Sequence, residues 1–316
     1  MRMDSRERDY DLPSPSMSEV LVGADVGGSK TAVAVEKAGT IAARATGPGA
    51  AVRPGRALQS AATISEVVRR ALAGAAELRA SVLVVGAAGA GRQPEQGELE
   101  RALRGEQIAE KVVVVTDIEI ALVAAFEDAP GIVVSAGTGS IAVGRDRQGK
   151  FKRMGGYGWQ MGDEGSGYAI GRAALGAVSR ARDGRSPSTP LQHRILAATR
   201  SSNFDELVSW AATASPAEVA ALAPHVLEVA GAGDVVARGI LDYAARELSQ
   251  LAICLQPQLG ERDKISVALA GGLLEASTPL RGVVLAKLAE HDHFTVVDTP
   301  IDAALGALAI AKRPAP

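Results

Sequence analysis

Apolar and polar positions fall in blocks along the chain, and the blocks repeat. Val20–Ala24 is an unbroken apolar run that ends at Asp25-Val26-Gly27-Gly28-Ser29-Lys30, and a second run, Thr31–Val35, follows at once. A strand, a tight glycine turn and a strand form the pattern of a β-hairpin. Ile41–Ala45 predicts a third antiparallel strand. Leu58, Ala61, Ala62, Val68 and Leu72 recur at helical spacing and predict a helix over 57–78. Ser81–Val85 reads as a buried strand and Glu95–Leu103 as a short helix. Lys111–Val115 is another apolar strand, stopping at Thr116-Asp117, and Ile118–Phe126 reads as a helix.

After Ala129-Pro130 the pattern restarts. Ile132–Ser135 and Ile141–Gly144 are strands joined by the turn Gly137-Thr138-Gly139-Ser140. Tyr168–Arg182 predicts a helix, and the Ala/Leu-rich stretch 191–259 is helical in period. Ile265–Ala270 is a strand ending in Gly271-Gly272. Leu280–Glu290 predicts a helix, Phe294–Val297 a strand and Ile301–Ala311 a last helix. Each half therefore opens with a hairpin and then mixes helices with strands, which predicts an α/β fold. The expected domains are 19–129 with 300–316, and 130–299. Two similar halves predict a cleft between them, the usual place for a small ligand.

At 316 residues the chain is long enough for about two domains. Lys+Arg number 34 and Asp+Glu 36, a net charge of −2, so no basic surplus exists to track a nucleic acid. No run of 18 uncharged apolar residues is present, so no membrane-spanning helix is expected. Residues 1–18 are polar, lack the apolar stretch of a signal peptide and read as a disordered leader. Cys254 is the single cysteine. It excludes an internal disulfide, a Cys-ligated zinc site and an iron–sulfur cluster, and favours a cytoplasmic location. Its apolar surroundings predict a core residue.

Glycine changes the picture most. The chain has 35, and 13 of them fall in residues 131–176, where average usage of ~7% predicts about three. They are interleaved with Ile132, Val133, Val134, Trp159, Met161 and Ile170, unlike the polar spacing of a flexible linker. Such glycines mark turns with positive φ or close approach of backbone to a ligand. Gly27-Gly28-Ser29 and Gly137-Thr138-Gly139-Ser140 both join glycine to a small hydroxyl, a combination that presents N–H groups and hydroxyls to an anion.

Acids stand beside these turns. Asp25 either caps its own turn or anchors Mg²⁺. Asp117 either caps the helix that follows or serves chemistry. Asp163-Glu164, within Gly162-Asp163-Glu164-Gly165-Ser166-Gly167, has the same two readings. Together the acids and turns suggest phosphoryl transfer to a polyol, which needs a metal anchor, a base near the attacking hydroxyl and groups that hold the acceptor.

At these residues the chain resembles the N-acetylglucosamine kinase group and the related BadF/BcrA-type ATPases of the actin/hexokinase/heat-shock ATPase superfamily. The matching segments are Gly23–Thr31, Thr116-Asp117, Ser135–Ser140, Ala270-Gly271-Gly272 and, above all, Gly155-Gly156-Tyr157-Gly158-Trp159-Gln160-Met161-Gly162-Asp163-Glu164-Gly165-Ser166-Gly167-Tyr168. The resemblance implies two RNase H-like (actin-like ATPase) domains around a central cleft, with the last helix packed on the first domain. It implies an ATP-dependent kinase acting on the 6-hydroxyl of N-acetylglucosamine or glucosamine, with Asp117 as general base. ATP would be held by Gly27, Gly28, Ser29, Lys30, Thr31, Gly137, Thr138, Gly139, Ser140, Gly271 and Gly272. Asp25 would orient Mg²⁺, and Gly156, Tyr157, Gly158, Asp163 and Glu164 would meet the sugar. A homodimer is implied, and no nucleic acid or membrane partner. The chain departs from the pattern in two places. The stretch Gly47–Arg53 lacks an Asn that contacts the sugar in the family, and the family's Gly-Gly-Trp-Gly is Gly155-Gly156-Tyr157-Gly158 here. Both changes touch the acceptor side. The remaining alternative is a family ATPase or a nucleotide-dependent sensor that transfers no phosphate to sugar.

Overall fold

The computed structural model describes residues 19–260 and 264–313, so the expected leader lies outside the described residues. The chain divides into two units, one running to Ala129 and resuming at Ile301, the other spanning Pro130–Pro300.

In the first unit β1 (Val20–Val26), β2 (Lys30–Lys37) and β3 (Thr40–Pro48) form an antiparallel meander. The chain then passes through α1 (Ala57–Gly74), β4 (Ala80–Ala87), α2 (Gln93–Gly105), β5 (Ala109–Thr116) and α3 (Asp117–Phe126). β4 and β5 add parallel to β1, giving the sheet order β3-β2-β1-β4-β5. Both faces of this sheet are covered, which is why β1 and β4 read as unbroken apolar runs instead of alternating ones. Val20, Val22 and Ala24 face one core with α1, whereas Leu21 faces a second core.

The second unit repeats the plan with β6 (Gly131–Ala136), β7 (Ser140–Arg145) and β8 (Phe151–Gly155). Five helices follow: α4 (Gly167–Arg182), α5 (Leu191–Thr199), α6 (Phe204–Thr213), α7 (Pro216–Ala220) and α8 (Ala223–Gly231). Then come α9 (Val235–Leu255), β9 (Ile265–Ala270), α10 (Pro279–Ala289) and β10 (Phe294–Val297). β9 and β10 are parallel to β6, and the order β10-β9-β6-β7-β8 matches that of the first sheet. α11 (Ala303–Ala311) closes the first unit, where Ala304, Ala307 and Leu308 complete the second core.

Three expectations are corrected. β8 escaped the sequence because Phe151-Lys152-Arg153-Met154-Gly155 is an edge strand with no apolar alternation. The first helix stops at Gly74, since Ala76 takes φ +56° and Glu77 N–H donates back to the Leu72 carbonyl. Cys254 is exposed: the buried stripe of α9 runs through Ala245, Leu248, Ala252 and Leu255, and position 254 falls off that stripe. Among the described residues no single helix is long and apolar enough to cross a membrane.

Candidate active site

In the first unit the acids collect at the carboxyl ends of the parallel strands. Asp25 of β1 pairs with Gly86 of β4, and Val115 of β5 pairs with the same Gly86. Asp117 follows two residues after Val115. Gly86 separates the two strands with bare backbone, and a Cβ there would stand 2.3 Å from Ile120 Cδ1 of α3. The absence of a side chain at Gly86 thus lets α3 sit down on the sheet and fixes where Asp117 emerges.

Asp117 does not cap α3. Thr116 does: its hydroxyl accepts the Glu119 N–H at 3.2 Å, and Glu119 Oε2 accepts the Thr116 N–H at 2.9 Å. This reciprocal box satisfies the helix start. The Asp117 carboxyl accepts the Ile118 N–H at 3.0 Å. Burial pushes that carboxyl up to about 6, against the lowering effect of backbone hydrogen bonds.

Asp25 shares a face of β1 with Leu21 and Gly23. A Cβ on Gly23 would meet the Ala304 carbonyl at 2.3 Å, so bare backbone lets α11 lie directly on the strand. This brings Asp302, at the start of α11, into the field of Asp25. Burial first, then the charges of Asp117 and Asp302, raise the Asp25 carboxyl to about 6 against the opposing charge of Lys30. Asp302 itself is held by Arg44, whose Nη1 donates to Oδ2 at 2.6 Å.

The hairpin turn beside Asp25 is tight. Gly27 N–H donates to the Lys30 carbonyl at 2.9 Å, and Ala50 N–H donates to the Gly27 carbonyl at 3.1 Å. Gly49 packs so closely that a Cβ would lie 2.2 Å from the Gly28 carbonyl oxygen. Gly28, Ser29 and Lys30 are exposed. Thr31 is not: it is buried, and its hydroxyl donates to the Pro48 carbonyl at 2.8 Å, bracing the hairpin from inside.

The second unit assembles its own set. Gly137 N–H donates to the Gly139 carbonyl at 2.9 Å, closing the turn between β6 and β7. The start of α4 is tied to that turn, for Gly167 N–H donates to the Gly137 carbonyl at 2.8 Å and Tyr168 N–H to the Thr138 carbonyl at 3.3 Å. Ser166 caps α4, accepting the Ala169 N–H, so neither Asp163 nor Glu164 is the cap. Asp163 is buried and stands at φ +62°. It accepts N–H groups from Gly158 and Ser140, and burial raises its carboxyl above the ordinary value. It thereby joins the 156–158 turn to the 137–140 turn. The Ser140 hydroxyl donates to the Glu164 carbonyl at 2.7 Å. Gly271 has φ +87°, and a Cβ there would stand 2.3 Å from the Ala136 carbonyl, so the turn after β9 is pressed against the end of β6. Tyr157 is exposed beneath the Arg153 guanidinium, 5.0 Å from the ring centre.

The second unit therefore brings Gly137–Ser140, Gly156, Gly158, Asp163 and Gly271 together. Gly137 stands apart within this set. Its φ is not positive and a Cβ would meet nothing within 4 Å, so the fold itself does not demand glycine there. That open space suits a phosphate-bearing ligand. The Asp25 carboxyl suits a hard divalent cation, being half-buried, crowded by other carboxylates and without a hydrogen-bond donor among the described residues. No group of three metal-ligating side chains occurs among the described residues. An ion there would be held mainly by water and phosphate.

The BadF/BadG/BcrA/BcrD ATPase family model matches residues 22–311. The chain belongs to this ATPase family. A curated relative named N-acetylmuramic acid/N-acetylglucosamine kinase, from Clostridium acetobutylicum, is 33% identical over 73% of this chain and 77% of its own length. An N-acetyl-D-glucosamine kinase from Dictyostelium discoideum is 30% identical over 93% of this chain and 98% of its own. A solved Chromobacterium violaceum structure, provisionally named N-acetylglucosamine kinase, superposes with a TM-score of 0.80 at 29% identity, covering 94% of this chain and all of that one. The BadF/BadG/BcrA/BcrD member described here thus has the actin-like ATPase fold of two RNase H-like units, as its sequence implies.

The sequence did not mark Asp302 or Gly86. Asp302 lies far from Asp25 along the chain, and no local pattern links them. Asp302 within Ile301-Asp302-Ala303-Ala304-Leu305-Gly306 was the available signal, because small residues after an acid announce a helix that packs closely with its start near something charged.

Proposed function

We propose that this protein is an ATP-dependent amino-sugar kinase, transferring the γ-phosphoryl group of ATP to the 6-hydroxyl of N-acetylglucosamine or glucosamine. The observation that carries the reading is the Thr116–Glu119 capping box. By satisfying the helix start, it leaves the Asp117 carboxyl, raised to about 6, available to take a proton. A general base works best with a pKa near the operating pH. The kinase names of the relatives support the same assignment.

Asp117 would accept the hydroxyl proton as the sugar oxygen attacks phosphorus. The exposed Gly28-Ser29 turn and the open backbone at Gly137 would receive the phosphates. Asp25 would hold Mg²⁺ through water, and the bound ion would neutralise charge on the β- and γ-phosphates. Asp163, Gly156, Tyr157, Gly158 and Glu164 would contact the sugar. Asp163 also fixes the shape of the sugar turn through the Gly158 N–H.

ADP release measured with a panel of sugars tests the proposal. Sugar-dependent ADP production is expected, and Asp117→Asn should lose about 10²–10⁴ of it. Sugar-independent turnover, or an equally active variant, would overturn the assignment in favour of an ATPase or sensor.

A further inference from the structure

Tyr157 is an exposed aromatic side chain set among glycines. Gly155 and Gly156 before it stand at φ +72° and +70°, and Gly158 after it at φ +91°. β8 ends at Gly155, and Arg153 lies within it, paired with Val143 of β7. Along an extended strand, residues four apart would stand roughly 13 Å from each other. The two left-handed glycines bend the chain off the strand instead and swing residue 157 back towards residue 153, a conformation costly for any residue with a side chain. The Arg153 guanidinium then sits 5.0 Å from the centre of the Tyr157 ring.

That ring is the one group the guanidinium meets: among the described residues Arg153 has no carboxylate and no hydrogen-bond partner. Tyr157 is held from the chain side as well. A Cβ on Gly162 would stand 3.6 Å from Tyr157 Cβ and 3.8 Å from its Cδ2. The N–H of the next residue, Gly158, donates to the Asp163 carboxyl, which also accepts the Ser140 N–H. The ring therefore projects from the place where the two turns of the second unit are joined. It is nevertheless 60% exposed, so Arg153 covers one face and leaves the other open.

We propose that Arg153 is a positioning residue for the acceptor: stacked on one face of Tyr157, it holds the opposite face against the ring of the bound amino sugar. The inference deepens the sugar-kinase reading and rests on it. A pyranose with equatorial substituents presents a face of C–H groups, and the negative face of an aromatic ring receives them. A cation over the other face is attracted by the same ring quadrupole. Guanidinium is planar and stacks as an ammonium does not. Without Arg153 the ring, carried among three glycines, would take several orientations, and the sugar would have to order it on binding, which weakens affinity. The cost falls on acceptor binding, so KM for the sugar moves and kcat does not.

The full chain is assayed for ADP release with N-acetylglucosamine and with glucosamine, and the binding of each sugar is measured by calorimetry. Arg153→Gln should raise KM for the sugar about 3–10-fold, with kcat, KM for ATP and the melting temperature unchanged. Arg153→Lys should recover part of the loss. Lys152→Gln, its exposed neighbour on the other face of β8, should leave the sugar KM unchanged and controls for surface charge. Tyr157→Ala should raise the sugar KM at least as far as Arg153→Gln, and adding Arg153→Gln to it should raise KM no further, because Arg153 acts through the ring. Sugar turnover with an unchanged KM in Arg153→Gln overturns the inference and leaves the kinase assignment standing. A lowered melting temperature with no change in sugar KM assigns Arg153 to the fold alone and also overturns it. Additive effects in the double variant overturn it too, since Arg153 would then act independently of Tyr157. Turnover of no amino sugar overturns the kinase assignment, and the calorimetry then decides the inference: non-additive weakening of sugar binding by the two substitutions supports it, and unchanged or absent sugar binding refutes it.

Discussion

The Asp163 carboxyl lies against Gly139: a methyl group on Gly139 would stand 2.7 Å from Asp163 Oδ2. One residue belongs to the turn between β6 and β7 and the other to the segment before α4. Their contact makes the two turns a single mechanical unit, with Asp163 accepting N–H groups on both sides.

Asp163→Ala should therefore destabilise the second unit. It strands backbone donors at Gly158 and Ser140, at about 1–3 kcal/mol for a buried donor left unpaired, and it places alanine at φ +62°. Asn tolerates the left-handed region better and retains an acceptor, so Asp163→Asn should melt closer to wild type. Calorimetric unfolding of the three proteins checks this. An Ala variant as stable as Asn would show that Asp163 is not the brace.

Asp117→Asn should lose activity and gain stability at alkaline pH. The folded carboxyl titrates at about 6 instead of 3.8, so between those values the folded chain holds the proton more tightly than the unfolded one. Stability from this group therefore falls as pH rises through that window. The variant, which carries no such charge, should melt roughly 2–8 °C higher than wild type at pH 8 and nearly level with it below pH 4. Melting curves at both pH values check this, and a variant less stable at pH 8 contradicts it. The same group should give the wild-type kcat/KM profile an acid limb near pH 6.

Asp25→Asn should raise the Mg²⁺ concentration needed for half-maximal rate by about 10-fold or more, since a neutral amide is a weaker ligand for a hard cation. A Mg²⁺ titration of the initial rate measures it. An unchanged midpoint would remove Asp25 from the metal site.

Two glycines should respond in opposite directions. A Cβ at Gly306 would lie 1.9 Å from the Ile120 carbonyl, so Gly306→Ala should force α11 away from α3 and cost about 1–3 kcal/mol or more. Gly97 lies inside α2 with nothing within 4 Å of a Cβ, so Gly97→Ala should stabilise the protein by about 0.5–1 kcal/mol. Urea unfolding of both variants distinguishes a packing glycine from a merely tolerated one.

The sequence by itself determined the element order, because short-range periodicity is written locally. The unbroken runs of β1, β4 and β5, the glycine hairpins and the acids at strand ends were all legible there. It also carried the motif block 155–168 that marks the family. It did not determine β8, whose edge position leaves no apolar signature, or the exposure of Cys254, which depends on one step around a helix. The tertiary structure alone decided what the acids are free to do. Thr116 and Ser166 take the two caps, releasing Asp117 and engaging Asp163 as a brace. α11, brought back from the end of the chain, carries Asp302 into the field of Asp25 and helps raise its carboxyl. Charge and desolvation act through space, so a carboxylate's chemistry belongs to whatever the fold sets beside it, and chain order does not record that.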